Sequence, residues 1–197
     1  MTLLERIPEE TFREGSIPVL ETERLVLRAP ALEDVKAIAM LANDLRVSQN
    51  TARMPYPYTE ADAVQFITKV TTEIRFVVTL LDGTLIGGCG LASGRDGVPE
   101  LGYWYGFPHW GRGYATEAAR AVIDFGFGEL GYEALQAGAR VSNPASRRVL
   151  EKCGFQWTGV ELRRVVSIAS SAPADRFRLD RGLWSSLKSW GGVRQVA

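Results

Sequence analysis

The 197-residue sequence holds one histidine and two cysteines, and its 23 Lys plus Arg offset 23 Asp plus Glu. Each scarcity closes a class of function. Neutrality argues against coating nucleic acid or an anionic membrane through bulk charge, although a local basic patch stays open. A single histidine, His109, without clustered metal-ligand residues argues against a catalytic metal. Cys89 and Cys153 make neither a disulfide framework nor a metal-ligand spacing, and read as buried small hydrophobes in a reducing compartment. No window approaches the roughly 20 apolar residues of a bilayer span. The opening MTLLERIPEE meets acids and a proline too early for a secretory signal, so a cytoplasmic location is expected. No internal repeat or low-complexity segment interrupts the chain.

What is present describes one globular domain. Hydrophobic residues make up 46% and charged residues 23%, enough for a real core under a polar surface. Residues 1–20 read as an irregular arm, 21–184 as the domain and 185–197 as a loosely held tail. ERLVLRAP (Glu23–Pro30) alternates like a strand. Leu32, Val35, Ile38, Ala39 and Ala42 then recur at helical spacing. After the MPYPY break, Thr59 and Asp62 open a helix carrying Ala63, Phe66, Ile67 and Val70. Two β-rich runs flank Asp82-Gly83, a tight-turn pair. A turn at Ser93–Pro99 leads to a third strand, Glu100–Gly106.

The stretch HWGRGYATEAARAVIDFGF follows. Its helix puts Ala115, Ala118, Ala119, Val122 and Gly126 on one stripe, small enough to lie close to a sheet. Ala134–Val141 reads as a strand. Asn143–Phe155 reads as a helix, with Asn143 as N-cap, Pro144 at the first position and Gly154 at the stop. Runs around Leu162–Ile168 and Arg176–Leu183 close the chain as a hairpin. The order predicts an α/β (α+β) fold: one domain, a mixed but mostly antiparallel central sheet, helices on both faces.

The chemistry-bearing feature is Gly111-Arg112-Gly113 before the alanine-rich helix. Glycines let a ligand approach the backbone, and the first helical N–H groups are unpaired and carry the positive end of the dipole. Such a turn suits a phosphate. No Gly-Lys-Ser/Thr follows, which excludes a nucleoside triphosphate P-loop. Thr116 stands where a dinucleotide fingerprint needs its third glycine.

ELGYWYGFPHWGRGYATEA followed by VSNPASRRVLEKCGF resembles the GNAT superfamily of acetyl-CoA-dependent N-acetyltransferases. Within it the sequence is similar to the Rim-type branch, which acetylates N-termini of ribosomal proteins; ETERLVLRAP fits that branch too. The resemblance implies that Trp110, Gly111, Arg112, Gly113, Tyr114, Ala115 and Thr116 wrap the pyrophosphate of acetyl-CoA. It implies that the strands Glu100–Gly106 and Ala134–Val141 splay, with the pantetheine arm pairing along Tyr103, Trp104 and Tyr105. Asn143 would reach the pantetheine, and Arg147, Arg148 or Lys152 the phosphates near the adenosine.

Acetyl transfer needs a base for the amine, donors for the carbonyl oxygen and an acid for the thiolate. Glu100 is the candidate base, on the strand that leads to the glycine turn, and is expected to be walled by aromatics and to act through water. The acid of many family members is a tyrosine where this chain has Leu150. Ser146, in an Asn-x-x-Ser pattern with Asn143, is the substitute. His109 is expected to face solvent or pack on Trp110, and Cys153 lacks a histidine partner for nucleophilic work. Arg53, Tyr56, Tyr58 and Trp104 are the candidate acceptor residues. The acceptor amine is read as a protein N-terminus. A small-molecule amine, and a module that binds acyl-CoA without turnover, stay open alongside it, as do monomer and homodimer.

Overall fold

The computed structural model describes residues 17–191. Most of the expected arm and the last part of the expected tail therefore lie outside the described residues. One sheet of eight strands runs in the order β1 (Leu20–Glu21), β2 (Leu25–Arg28), β3 (Ile74–Leu80), β4 (Leu85–Ala92), β5 (Glu100–Tyr105), β6 (Ala134–Arg140), β8 (Ser170–Asp180) and β7 (Gln156–Val165). Every neighbouring pair is antiparallel except β5 and β6. Helices cover both faces. α1 (Val35–Ala42) and α3 (Glu60–Thr68) lie on one side, with the short α2 (Leu45–Ser48) between them in the chain; α4 (Tyr114–Gly128), α5 (Pro144–Lys152) and α6 (Arg181–Gly191) lie on the other. The α/β architecture is the one the sequence predicts.

Two cores explain the patterning. Phe76 and Val78 of β3 join Leu25, Leu27, Val122 and Phe127 in the larger one. Val77, between them, points the opposite way and packs with Ile38, Ala42 and Ala63. A strand buried on both faces reads as a continuous apolar run. The turn at Asp82-Gly83 forms as expected, with Gly83 at φ 86°. Thr59 and Asp62 do make a reciprocal capping box. Gly126 brings α4 close to the sheet, since a Cβ there would meet Leu91 at 3.2 Å.

Several element limits differ from the sequence reading. The first helix is broken: Leu32–Asp34 forms a 3-10 turn, because buried Asp34 accepts from the Ala31 N–H and pairs with Arg28 at 2.7 Å. α3 ends at Thr68, so Val70 is 93% exposed rather than part of an apolar stripe. Leu20, assigned to the arm, already pairs with Leu27. The final hairpin is displaced toward the N-terminus, and the segment from Arg181 to Gly191 is a helix instead of strand end and loose tail. It is docked: Leu183 and Trp184 pack on the core, while the Trp184 indole donates to Asp124 at 2.7 Å and Lys188 pairs with the same carboxylate.

The break in the sheet positions the site. β5 and β6 pair in parallel only at Glu100↔Gln136 and Leu101↔Ala137. Beyond that register they diverge into a fork.

Candidate active site

Backbone alternation decides what faces the fork. The Pro99 carbonyl accepts from Gln136 of β6, whereas the Gly106 N–H donates to Ile86 on the β4 side. Successive peptide groups along a strand alternate, so those of Leu101, Tyr103 and Tyr105 point to the fork. Leu101 still pairs with β6. The Tyr105 carbonyl accepts from the Trp110 indole at 2.7 Å. The peptide group of Tyr103 is thus the one presented at the open edge.

The glycine turn sits at the mouth of the fork. Gly111 and Gly113 both have positive φ, 74° and 83°, which side-chain-bearing residues adopt at a cost. The N–H groups of Thr116 and Glu117 bond back to the Gly113 carbonyl. Those of Tyr114 and Ala115 precede any helical acceptor and remain available to an anion. Arg24 braces this turn from the bend before β2: its guanidinium donates to the Arg112 carbonyl at 3.1 Å, lies over the Tyr114 ring and pairs with Glu117. The Glu117 carboxyl is held below its usual range: burial opposes this, but hydrogen bonds from Thr22 and Arg24 outweigh it.

One cavity of about 960 Å³ joins the glycine turn to the far face of the sheet. Ala115, Ser146 and Val149 line it on the α4 and α5 side; Ile38, Tyr58 and Phe66 line it on the side of α1 and α3. The cavity therefore passes through the fork. Trp104 lies on the second face, its indole so close over β4 that a Cβ at Gly88 would meet it at 2.8 Å.

The expected cofactor residues are brought together with two exceptions. Tyr103, Trp104, Tyr105, Trp110, Gly111, Gly113, Tyr114, Ala115, Thr116, Asn143 and Ser146 all line the cavity. The Arg112 side chain does not. Arg147 turns to the other side of α5, where it pairs with Glu151 and Asp175 at 3.1 and 3.3 Å. One position on, Arg148 lines the cavity, as does Lys152 one turn later. Helical rotation makes the difference, since neighbours on a helix do not share a face.

Glu100 lies at the apex of the fork. The aromatic wall expected around it is not its immediate setting. Its carboxylate is paired with Arg163 of β7, which also donates to Glu161 at 2.8 Å. Burial works against the Arg163 charge, but its hydrogen bonds to the Glu100 and Glu161 carboxylates hold its pKa above the ordinary value. Arg163 reaches Glu100 across Gly138, where a Cβ would stand 3.0 Å from the guanidinium. Sequence reasoning missed Arg163; the alternating Glu161-x-Arg163 on one strand face was the available signal.

Ser146 has a partner that the sequence did not reveal. The Tyr103 hydroxyl lies 2.9 Å from the Ser146 hydroxyl and 3.1 Å from its carbonyl oxygen. Asn143 caps the same helix, its Oδ1 accepting from the Ser146 N–H at 3.1 Å. Burial pushes the Tyr103 phenol up, partly offset by Ser146, so it keeps its proton. Leu150 is fully buried in the core.

His109 lines the cavity, and burial followed by Arg112 lowers its pKa, so it is neutral at pH 7. Burial pushes the Cys153 thiol up to about 11, which leaves it a poor nucleophile at neutral pH. Among the described residues no group of His, Cys, Asp and Glu side chains suits a metal ion. No helix among them is long and apolar enough to cross a membrane.

Of the expected acceptor residues, Arg53, Tyr58 and Trp104 line the cavity. Burial, aided by nearby Asp62, pushes the Tyr58 phenol up to about 12. Tyr56 is outside the cavity and 46% exposed, because the loop turns it to solvent. Glu73 enters instead, paired with both Arg53 and Arg75. Burial opposes the Glu73 charge, yet the two arginines hold its carboxyl below the usual range.

Known proteins share this fold. Residues 24–156 match the acetyltransferase (GNAT) domain family. The chain is similar to the uncharacterized N-acetyltransferase p20 of Bacillus licheniformis, 32% identical over 149 residues, covering 72% of this chain and 84% of that protein. Among solved structures it is similar to RimJ of Mycobacterium smegmatis in complex with CoA-disulfide. The TM-score is 0.74 at 17% identity, over 90% of this chain and 96% of that one. It is also similar to the spermidine N-acetyltransferase of Vibrio cholerae in complex with CoA and spermine. There the TM-score is 0.72 at 21% identity, over 83% of this chain and 99% of that one.

Proposed function

The chain belongs to the acetyltransferase (GNAT) family and is an acetyl-CoA-dependent N-acetyltransferase, and from that premise we propose that it acetylates a protein N-terminus in the cytoplasm, as the Rim-type branch does. The observation that carries this reading is the cavity through the fork. It gives the acceptor an approach from the face opposite the glycine turn, past the loop of Arg53 and Met54. The similarity to RimJ in fold agrees with it. Two buried free thiols suit a reducing compartment.

Acetyl-CoA supplies an activated thioester; the chain's residues supply the rest. The N–H groups of Gly113, Tyr114 and Ala115 and the cations Arg148 and Lys152 bind its phosphates. The Tyr103 peptide group, at the open edge of β5, holds the acyl arm. Glu100, oriented by Arg163, takes the proton from the amine through water. Ser146, hydrogen-bonded to the Tyr103 phenol, gives a proton to the departing thiolate and regains one from water in the same step, so that the proton lost by the amine ends on solvent and the thiol. Both donors are neutral, so they can approach the thioester without repelling its sulfur lone pairs.

The test is release of CoA from acetyl-CoA against a panel of N-terminal peptides and small amines, with products identified by mass. Acetylated peptide N-termini are the expected products. Turnover confined to small amines would replace the acceptor class, and binding of acetyl-CoA without any release would favour a sensor.

A further inference from the structure

The acceptor half of the cavity carries an uneven set of charges. Asp62, Glu73 and Glu100 are its carboxylates, and Arg53, Lys69, Arg75 and Arg163 its cations. Two of the three carboxylates are paired with arginines, and the third is a helix cap with one oxygen engaged. Asp62 accepts from the Thr59 N–H and hydroxyl at 2.8 and 2.6 Å as the cap of α3. The two oxygens of Glu73 accept from Arg53 and from Arg75 at 2.9 Å. Both oxygens of Glu100 face Arg163. Glu161, behind Arg163, is also shared with Arg176 at 3.7 Å.

The cations are not matched in the same way. The Lys69 side chain, at the end of α3, has no hydrogen-bond or ion-pair partner among the described residues. Arg53 commits one Nη to Glu73, and its side chain is 68% exposed. A guanidinium has five donors, so most of those of Arg53 are available. A second cation on an incoming acceptor would meet four cations with only the Oδ1 of Asp62 open to receive it. An anion would meet donors already in place.

We infer that the acceptor carries a carboxylate close to its reactive amine, received by Lys69 and Arg53, and that polycationic amines are poorer acceptors. The inference rests on the acetyl-transfer reading and narrows it. The same charges serve the chemistry. Nearby cations disfavour the ammonium form of an amine, so they help to release the lone pair that attacks the thioester. A carboxylate on the acceptor offsets their repulsion during approach.

The test uses the full-length enzyme, acetyl-CoA and C-terminally amidated tetrapeptides that begin with Ser and carry Glu, Gln or Lys at the second or the third position, with spermidine alongside. Glu peptides should exceed Gln peptides in kcat/KM by about tenfold, the effect of one hydrogen bond to a charged group, expressed in KM. Lys peptides and spermidine should fall below both. Lys69→Ala and Arg53→Ala should shrink the Glu-to-Gln ratio, and Arg53→Ala should also raise the Lys peptides by uncovering Glu73. A preference for spermidine or for Lys at both positions overturns the inference while leaving acetyl transfer intact. So does a Glu-to-Gln ratio that neither variant changes. Absence of CoA release with every acceptor tried, despite acetyl-CoA binding by calorimetry, overturns the transfer reading and takes this inference with it.

Discussion

The two ends of the cavity are built from different material. The end at the glycine turn is backbone: two glycines with positive φ and the first N–H groups of α4, beside the peptide group of Tyr103. The acceptor end is side chain: Arg53 and Lys69 around α3, Arg75 on β3, Glu100 on β5, Arg163 on β7. A backbone site accepts any side-chain change that keeps the conformation. A side-chain site is retuned by single substitutions with the fold untouched. One scaffold can therefore keep one donor and change acceptors.

The comparison breaks most visibly at Glu100. Glu100→Gln keeps the size and the strand and removes the base. It should lower kcat by about 10²–10⁴-fold, the range of a positioned general base, and leave acetyl-CoA affinity, measured by calorimetry, within about twofold, since an exchange at a distance from the phosphates costs little. An unchanged kcat would remove Glu100 from the mechanism. A parallel loss of cofactor affinity would show that the two ends are not separate.

Legibility in the sequence follows the same division. The cofactor end is contiguous: Glu100 through Thr116 is strand, turn and helix start, so glycine spacing and the small stripe on α4 suffice to read it. Asn143 and Ser146 are likewise readable, because an N-cap and the N–H it satisfies are three residues apart. The acceptor end is assembled across the chain. Nothing local to Glu100 announces that Arg163 will cross Gly138 to reach it, or that Glu73 will collect two arginines. Tyr103 and Ser146 are 43 residues apart, and only the fold puts their hydroxyls 2.9 Å from each other. Arg147 and Arg148 show the limit of a motif: it placed cations on the right helix, and a rotation of one residue decided which faces the site. In the fold, the errors fall at ends. The docking of α6 depends on Asp124 of a distant helix, and Asp34 breaks the first helix through an ion pair with another element.

Backbone construction predicts a second contrast. Gly113→Val forces a β-branched residue into φ 83° and sets its Cβ 3.3 Å from the Arg24 guanidinium. Acetyl-CoA affinity should fall by about ten- to a hundredfold, since left-handed strain of about 1–2 kcal/mol and displacement of the turn both act there. Arg112→Ala, next to it, should change affinity by less than about threefold, as expected of an exposed side chain outside the cavity. Equal effects of the two variants in calorimetry would mean that side chains, not peptide groups, hold the phosphates.

A smaller effect tests the acceptor end without touching a charged group. Gly138→Ala places a methyl 3.0 Å from the Arg163 guanidinium and 3.1 Å from its central carbon. The arginine must shift, and with it the orientation of Glu100. Turnover should fall by about three- to tenfold, the effect of misplacing one charged hydrogen bond, with the acetyl-CoA dissociation constant retained. Arg163→Lys should fall in the same direction, because an ammonium cannot span Glu100 and Glu161 in a planar fork. A normal kcat in Gly138→Ala would show that Arg163 and Glu100 need no fixed geometry.

The smallest effect comes from a place where side chains brace the backbone site. Glu117 accepts from the Thr22 hydroxyl at 2.7 Å, the Arg24 N–H at 2.9 Å and the Arg24 guanidinium, tying β2 to the start of α4. Its carboxyl titrates below the ordinary glutamate value in the folded protein. A depressed pKa contributes stability above the unfolded value of about 4.3, and that contribution is lost as pH falls through the lower folded value. Glu117→Gln should therefore lower Tm slightly at pH 7, and the gap to the parent protein should close as the pH drops below about 4. The glutamine also loosens the brace on Gly113, so acetyl-CoA affinity should weaken at pH 7 by less than Gly113→Val weakens it. A Tm gap that stays constant from pH 7 to pH 3 would mean that packing, not the charge of Glu117, fixes the helix start.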